Sequence, residues 1–268
     1  VLRADVDNLG QTFVAGFAGK YATLSRTAAL SRQLSIFFKY YIRSILKNGE
    51  YHIDGEKKLT ERNATIVYSG GDDVFIVGAW NEVIELSIDL QEKLKKYTQG
   101  TLSISSGIGI YECTYPIGAI ANETGEMEAE SKRMPEKDSV TLMDDGETHL
   151  INELEICDGT YRWEELYKSV LGEKYDVIQD FLGESDERGM SFLYRMLELI
   201  RNQKEKINFA RFVYLLSRLE PDKEGEKKEK YRKFSRKMYQ WVQSEKDCRE
   251  LKTAINLYAY MHREKGAH

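Results

Sequence analysis

Cysteine is scarce in this chain of 268 residues, and Cys113, Cys157 and Cys248 lie far apart. No CxxC pair exists, so a structural zinc site is not expected. A sparse, odd count suits a reducing cytoplasm. The four histidines are scattered, with no His-Asp doublet and no HExxH run. No apolar run approaches the roughly 18 to 20 residues that a membrane span needs, so no membrane association is expected. The first residues read as a strand ending in acids, not as a secretory leader. Val1 begins inside what reads as a core strand, so a fragment of a longer protein is the expectation.

A hydrophobic fraction of 41%, with 17 Tyr and 10 Phe, is enough to fill a core. The length suits one large domain or two ordinary ones. The net charge of -5 hides an asymmetry. Residues 1–159 hold 16 Lys+Arg against 25 Asp+Glu, a balance of -9, and residues 160–268 hold 23 against 19, a balance of +4. An acidic half suits metal binding, and a mildly basic half suits nucleic acid or an acidic partner.

Residues 1–6 read as a strand, followed by a Gly-punctuated stretch to about Lys20. Leu30, Leu34, Phe37, Tyr41 and Ile45 recur at helical spacing, which predicts an amphipathic helix over 25–47. Residues 48–63 are polar and read as a loop. Ala64–Tyr68, a Ser69-Gly70-Gly71-Asp72 turn and Asp73–Ala79 make a hairpin. A helix follows over 81–97, then a strand over 101–111, a helix over 116–133 and a strand over 139–143. This βαββαβ order predicts a ferredoxin-like antiparallel sheet covered by helices. After about 150 the strand signals stop, and helical spacings such as Phe192, Met196, Ile200 take over. The expectation is an α+β fold, with a mixed domain over 1–150 and an all-α domain over 151–268. Pro221–Glu229 reads as a charged linker.

Two acidic pairs stand out, Asp5-Val6-Asp7 at the end of the first strand and Asp72-Asp73 after Gly70-Gly71. In a βαββ order the first strand neighbours this hairpin, so Asp5 and Asp72 meet although 67 positions separate them. Converging carboxylates repel one another and call for a cation. Oxygen donors without His or Cys suit Mg²⁺ or Mn²⁺. Such ions bridge a triphosphate, activate a 3′-hydroxyl and stabilise leaving pyrophosphate. Gly70 and Gly71 supply tight-turn geometry and let a phosphate approach the backbone. Each motif alone could equally be a solvated turn.

Asp5-Val6-Asp7-Asn8-Leu9-Gly10 and Tyr68-Ser69-Gly70-Gly71-Asp72-Asp73-Val74-Phe75-Ile76-Val77-Gly78 resemble the second Palm domain of the large subunit of type III-A CRISPR effectors, the Csm complex. The likeness extends through Ser31-Arg32, Leu34-Ser35, Phe37-Phe38, Tyr115-Pro116-Ile117 and Lys132. The tail from about 160 resembles that subunit's C-terminal helical domain. More distantly, the hairpin is similar to GGDEF diguanylate cyclases and polymerase Palm domains. The resemblance implies conversion of ATP to cyclic oligoadenylate when target RNA is bound, among other Csm subunits and crRNA. It implies that Asp5 and Asp72 are metal ligands, that Asp73 assists and that the Val6 carbonyl completes a metal shell. Asp7, Asn8, Leu9 and Gly10, with Ser69, Gly70 and Gly71, would line the nucleotide, and Lys132 would neutralise phosphate. Synthesis in that family uses two facing Palm domains, so this segment alone would bind nucleotide without making product. A non-catalytic scaffold and a diguanylate cyclase are the rival readings. Asp73-Val74 in place of a Glu-Phe ending counts against the latter.

Three further features have a plainer reading beside the functional one. Lys132 and Arg133 follow Glu126, Glu128 and Glu130, which also fits an ion-paired helix face. Lys227–Lys237 is a basic run with Tyr231 and Phe234 interleaved. It reads as a solvated helix face sooner than as an RNA contact. Ser105-Ser106-Gly107 reads as close strand packing sooner than as a base contact.

Overall fold

A computed structural model describes residues 1–55, 58–144, 146–183, 187–201 and 206–262. The chain divides into two compact units, Val1–Trp163 and Glu164–His268. The strands are β1 (Leu2–Val6), β2 (Ala64–Gly70), β3 (Asp73–Gly78), β4 (Ile104–Ile108), β5 (Ser139–Leu142), β6 (Thr148–Ile151), β7 (Leu154–Cys157) and β8 (Thr160–Arg162). Six of them form one sheet in the order β2-β3-β1-β4-β5-β8, and β6 pairs with β7 alone. β1 is antiparallel to both β3 and β4, and β2 is antiparallel to β3. That is the ferredoxin-like arrangement the element order predicts.

The first unit's helices are α1 (Leu9–Ala15), α2 (Leu24–Ile36), α3 (Ile42–Lys47), α4 (Trp80–Tyr97) and α5 (Ile117–Ser131). A wide π-helical turn, Phe37–Tyr41, joins α2 to α3, so the predicted 25–47 helix is one run with an inserted bulge. Thr23 opens it, its hydroxyl accepting from the Arg26 N–H at 3.4 Å, as an N-cap should. Strand alternation gives β1 two different faces. Leu2, Ala4 and Val6 are buried in the core with Phe37, Phe38, Val83 and Leu90. The Ser69 hydroxyl on β2 donates to the Phe38 carbonyl at 2.5 Å and fixes the helices on that face. Arg3 and Asp5 turn to the other face. There Arg3 pairs with Glu128 of α5 at 2.9 Å. α5 lies so close to β4 that a Cβ on Gly107 would stand 2.4 Å from the Thr124 carbonyl oxygen. Gly107 is therefore a packing residue.

The structure corrects four expectations. The sheet is mixed, because β5 runs parallel to β4. A parallel pair needs a crossover, and α5 supplies it. Strands also continue past 150. The β6–β7 hairpin turns at Asn152 and Glu153, both at positive φ, without the Asn-Gly pair that usually marks such a turn. β6 and β7 are four residues each; β6 has no buried residue and β7 buries only the adjacent Ile156 and Cys157, so neither shows a clear buried alternation. The first unit thus runs to Trp163, not 150. Residues 9–15 are helical despite Gly10, and residues 226–229 belong to a helix, not to a linker.

The second unit is helical, as expected. After α6 (Trp163–Glu165) a π-helical run, Leu166–Tyr175, leads into α7 (Asp176–Leu182), α8 (Glu187–Arg201), α9 (Lys206–Ser217), α10 (Glu226–Trp241) and α11 (Glu245–Met261). Its core holds Val170, Tyr175, Leu193, Met238, Leu251, Ile255 and Tyr258. Lys174 is buried among them. It pairs with Glu250 and, at 2.9 Å, with Asp247. Among the described residues no helix is long and apolar enough to cross a membrane.

Candidate active site

Antiparallel pairing sets Asp5 of β1 directly opposite Asp73 of β3 and, on its other side, opposite Ser105 of β4. Gly70 of β2 stands opposite Asp73. Directly opposed residues project from the same face of a sheet. One row therefore crosses four strands: Gly70, Asp73, Asp5, Ser105. The neighbouring row on that face is Tyr68, Phe75, Arg3 and Gly107. Like charges directly opposed are unfavourable, so the Asp5–Asp73 pair is held at a cost.

Asp72 sits in the turn between β2 and β3, where Gly71 takes φ 71°. The Val6 N–H donates to the Asp72 carbonyl at 3.1 Å and ties the turn to the end of β1. The Asp72 carboxyl is held above its ordinary range, first by partial burial and then by the charges of Asp5 and Asp73. The site carries more negative charge than its own groups satisfy.

Lys132, the C-cap of α5, offsets part of it. Its ammonium donates to Asp5 Oδ2 and, at 2.6 Å, to Glu128 Oε1. Burial alone would lower its pKa, but these two bonds outweigh burial and raise it. Lys132 is thus ion-paired along its helix, as the plainer reading has it, and it also touches the acidic row.

Asp7 behaves differently. It is buried, and its Oδ2 accepts from the Ser103 hydroxyl at 2.7 Å and from the Asp138 N–H at 3.1 Å. Those bonds anchor the end of β1. Asn8 takes φ 55°, and its Oδ1 accepts from Lys137 at 2.7 Å. Leu9 is buried and Gly10 exposed at the start of α1. Ser69 lies on the helix-covered face, opposite Val74 and bonded to Phe38, so its side chain does not join the acidic row.

Tyr68 is the site residue that sequence reasoning left without a role. Its hydroxyl bonds Asp73, and the Asp73 charge is the main cause holding its phenol above the usual range. Its ring is half exposed and its hydroxyl stands 3.2 Å from where a Gly70 Cβ would be. Period-2 counting back from Gly70 along β2 would have found it.

Among the described residues no three His, Cys, Asp or Glu side chains stand as a formed metal cluster. The donor chemistry nonetheless fits a hard divalent cation. The donors are carboxylate oxygens only, and the strained ionisation of Asp72 is what an added cation would relieve.

Residues 1–141 match the family described as Cas10/Cmr2, second palm domain, and residues 179–264 match the second helical domain of the CRISPR RNA silencing complex Cmr2 subunit. The chain is similar to the CRISPR system single-strand-specific deoxyribonuclease Cas10/Csm1 (subtype III-A) of Mycobacterium tuberculosis, at 42% identity over 270 residues. That alignment covers 99% of this chain and 32% of the relative. The namesake from Streptococcus thermophilus is 37% identical over 267 residues, covering 97% and 32%. The chain thus spans about a third of the length of these curated relatives. It also resembles a crystal structure of a Csm1–Csm4 cassette in complex with pppApApA, at TM-score 0.67 and 26% identity, covering 96% of this chain and 36% of that one. A cassette in complex with AMPPNP gives a TM-score of 0.63 at 25% identity, covering 95% and 35%.

Proposed function

Since the chain belongs to the Cas10/Cmr2 family, we propose that its first unit is one nucleotide half-site of a type III CRISPR effector subunit, joining ATP into cyclic oligoadenylate. The observation that carries this reading is the facing of Asp5 and Asp73 across one strand pair, with Asp72 crowded beside them. The reaction forms a bond from a 3′-oxygen to the α-phosphorus of a neighbouring ATP and breaks the bond to pyrophosphate. Little covalent work falls to the protein, so positioning and charge neutralisation dominate.

In this reading Asp5, Asp72 and Asp73, with the Val6 carbonyl, would hold Mg²⁺ or Mn²⁺. The ion would supply charge neutralisation on the polyphosphate and lower the pKa of the attacking hydroxyl. Tyr68 donates to Asp73 and fixes its rotamer. Lys132, bonded to Asp5 at the edge of this set, would neutralise phosphate. Gly10, Gly70 and Gly71 leave room for the triphosphate, and Asn8 and Leu9 border it. The adenosine polyphosphates named with the Csm1–Csm4 relatives support ATP over GTP. Partner subunits, crRNA and target RNA belong to the same reading, as does a cytoplasmic location.

The test is product formation by the complete subunit given radiolabelled ATP and Mn²⁺, with and without target RNA. The expected result is pyrophosphate and oligoadenylate that depend on target RNA and persist in excess GTP. ATP bound without turnover would favour a scaffold. Cyclic product from GTP would favour a diguanylate cyclase.

A further inference from the structure

From Asn8 to Gly49 the chain has no acidic residue, and it carries Lys20, Arg26, Arg32, Lys39, Arg43 and Lys47. Forty-two residues with six cations and no anion are unusual in a chain of net charge -5. All six side chains are exposed, and among the described residues none of them forms an ion pair. Lys39, Arg43 and Lys47 recur every four positions, which puts them on one outer face of the π-turn and α3. Tyr40 and Tyr41 stand among them at 69% and 51% exposure, large rings with no core to fill. Tyr41 stacks on Phe37 at 6.2 Å and meets Tyr97 at 5.3 Å. Beside it a groove of about 440 Å³ continues past Ser44, Asn48, Lys96 and Tyr97, with Lys93 paired to Glu50 in its wall.

The basic run of α10 shows what a neutralised stripe looks like. There Lys228 and Arg232 pair with Glu224, Lys230 with Glu226, Lys233 with Asp180 and Lys237 with Glu173. Tyr231 and Phe234 are buried. Most cations of that run meet acids from the helix or from neighbouring segments, and the two rings within the run are buried, so it is a solvated face. The run on α2 and α3 has neither feature.

We propose that the outer face of the π-turn and α3 is a track for single-stranded nucleic acid, separate from the nucleotide half-site. Unpaired cations at regular spacing match a repeating phosphate backbone. Exposed tyrosines beside them offer stacking platforms that an acidic protein surface would not use and a single strand would. This goes beyond the proposed chemistry and does not depend on it, because the acidic row lies on the opposite face of the sheet.

Fluorescence anisotropy with labelled oligo-U, oligo-dT and poly-glutamate tests it on the full chain, with circular dichroism to verify folding. The expected result is salt-dependent binding of both oligonucleotides and weaker binding of poly-glutamate. A Lys39→Glu/Arg43→Glu/Lys47→Glu variant should bind at least about tenfold more weakly, its log-log salt slope smaller by about 2, the value for three phosphate contacts on a single strand. Tyr40→Ala should weaken binding with the slope unchanged. A Lys230→Glu/Lys233→Glu variant on α10 should bind as the parent does. Unchanged binding by the folded triple variant would overturn the proposal, as would poly-glutamate binding as tightly as the oligonucleotides.

Discussion

Asp72→Asn is expected to lower ATP turnover by about 10² to 10³ while leaving the fold at least as stable as the parent. The loss follows from removing one carboxylate of the three that meet at the end of β1. The stability expectation follows from the sign of its pKa shift. Burial and the charges of Asp5 and Asp73 hold the Asp72 carboxyl above its ordinary range. A group whose pKa is higher when folded favours the fold in its protonated form, and that contribution is lost as pH rises through the folded value. At neutral pH the ionised Asp72 therefore opposes folding, and the isosteric amide removes the repulsion. The advantage should fade as pH falls through the folded value and be gone below about 4, where the unfolded-state carboxyl is protonated as well. Turnover by the complete subunit with target RNA, and urea midpoints at neutral and acid pH, measure both halves. A variant that keeps full turnover, or one that loses stability at neutral pH, contradicts this account of the site.

Lys174→Met is expected to destabilise the second unit by about 3 to 5 kcal/mol. Lys174 is only 1% exposed, on a π-helical run, against a Glu250 that is also 1% exposed. Asp247 pairs with it at 2.9 Å, and its ammonium lies 5.1 Å from the Trp241 ring centre. Burial would drive its proton off, but the bonds to Glu250 and Asp247 keep its pKa raised. Removing the cation leaves the Glu250 charge buried without its main partner, and a buried unpaired charge costs far more than the pair contributes. Lys174→Met/Glu250→Gln should therefore recover most of the loss, because both charges go together. Urea unfolding of the parent, the single variant and the double variant reads the effect. A single variant as stable as the parent, or a double variant no better than the single, would show that the pair does not carry this role.

The acidic row was legible because it depends on topology, and topology was written in strong signals. The β-branched run Ala64–Tyr68, the Gly70-Gly71 turn and the alternation around Ile104 and Ile108 fix three strands and their order. Once β1 must lie beside the hairpin, Asp5 must meet Asp72 and Asp73. Faces were less legible. Ser69 stood in the same motif as the acids, yet one step along a strand reverses a side chain, and it serves the helix side. Tyr68, one step the other way, was passed over for the same reason. The bond from Asp7 to Ser103 and Asp138 joins segments 96 and 131 positions away, and no local pattern encodes it. The boundary at Trp163 was hidden by strands of three and four residues whose turn uses Asn152 and Glu153. Ion pairing could be read only in part. The lack of acids around α3 is visible in the sequence, but two of the acids that meet α10, Asp180 and Glu173, lie 53 and 64 positions from their partners.

The account rests on Asp5, Asp72 and Asp73 sharing a divalent cation, and calorimetric titration with Mn²⁺ in the presence of a non-hydrolysable ATP analogue tests it most directly. The parent chain is expected to take up Mn²⁺ together with the analogue, and Asp5→Asn/Asp73→Asn to lose that uptake while remaining folded. Undiminished Mn²⁺ uptake by the double variant would contradict it, because the ion would then be held elsewhere.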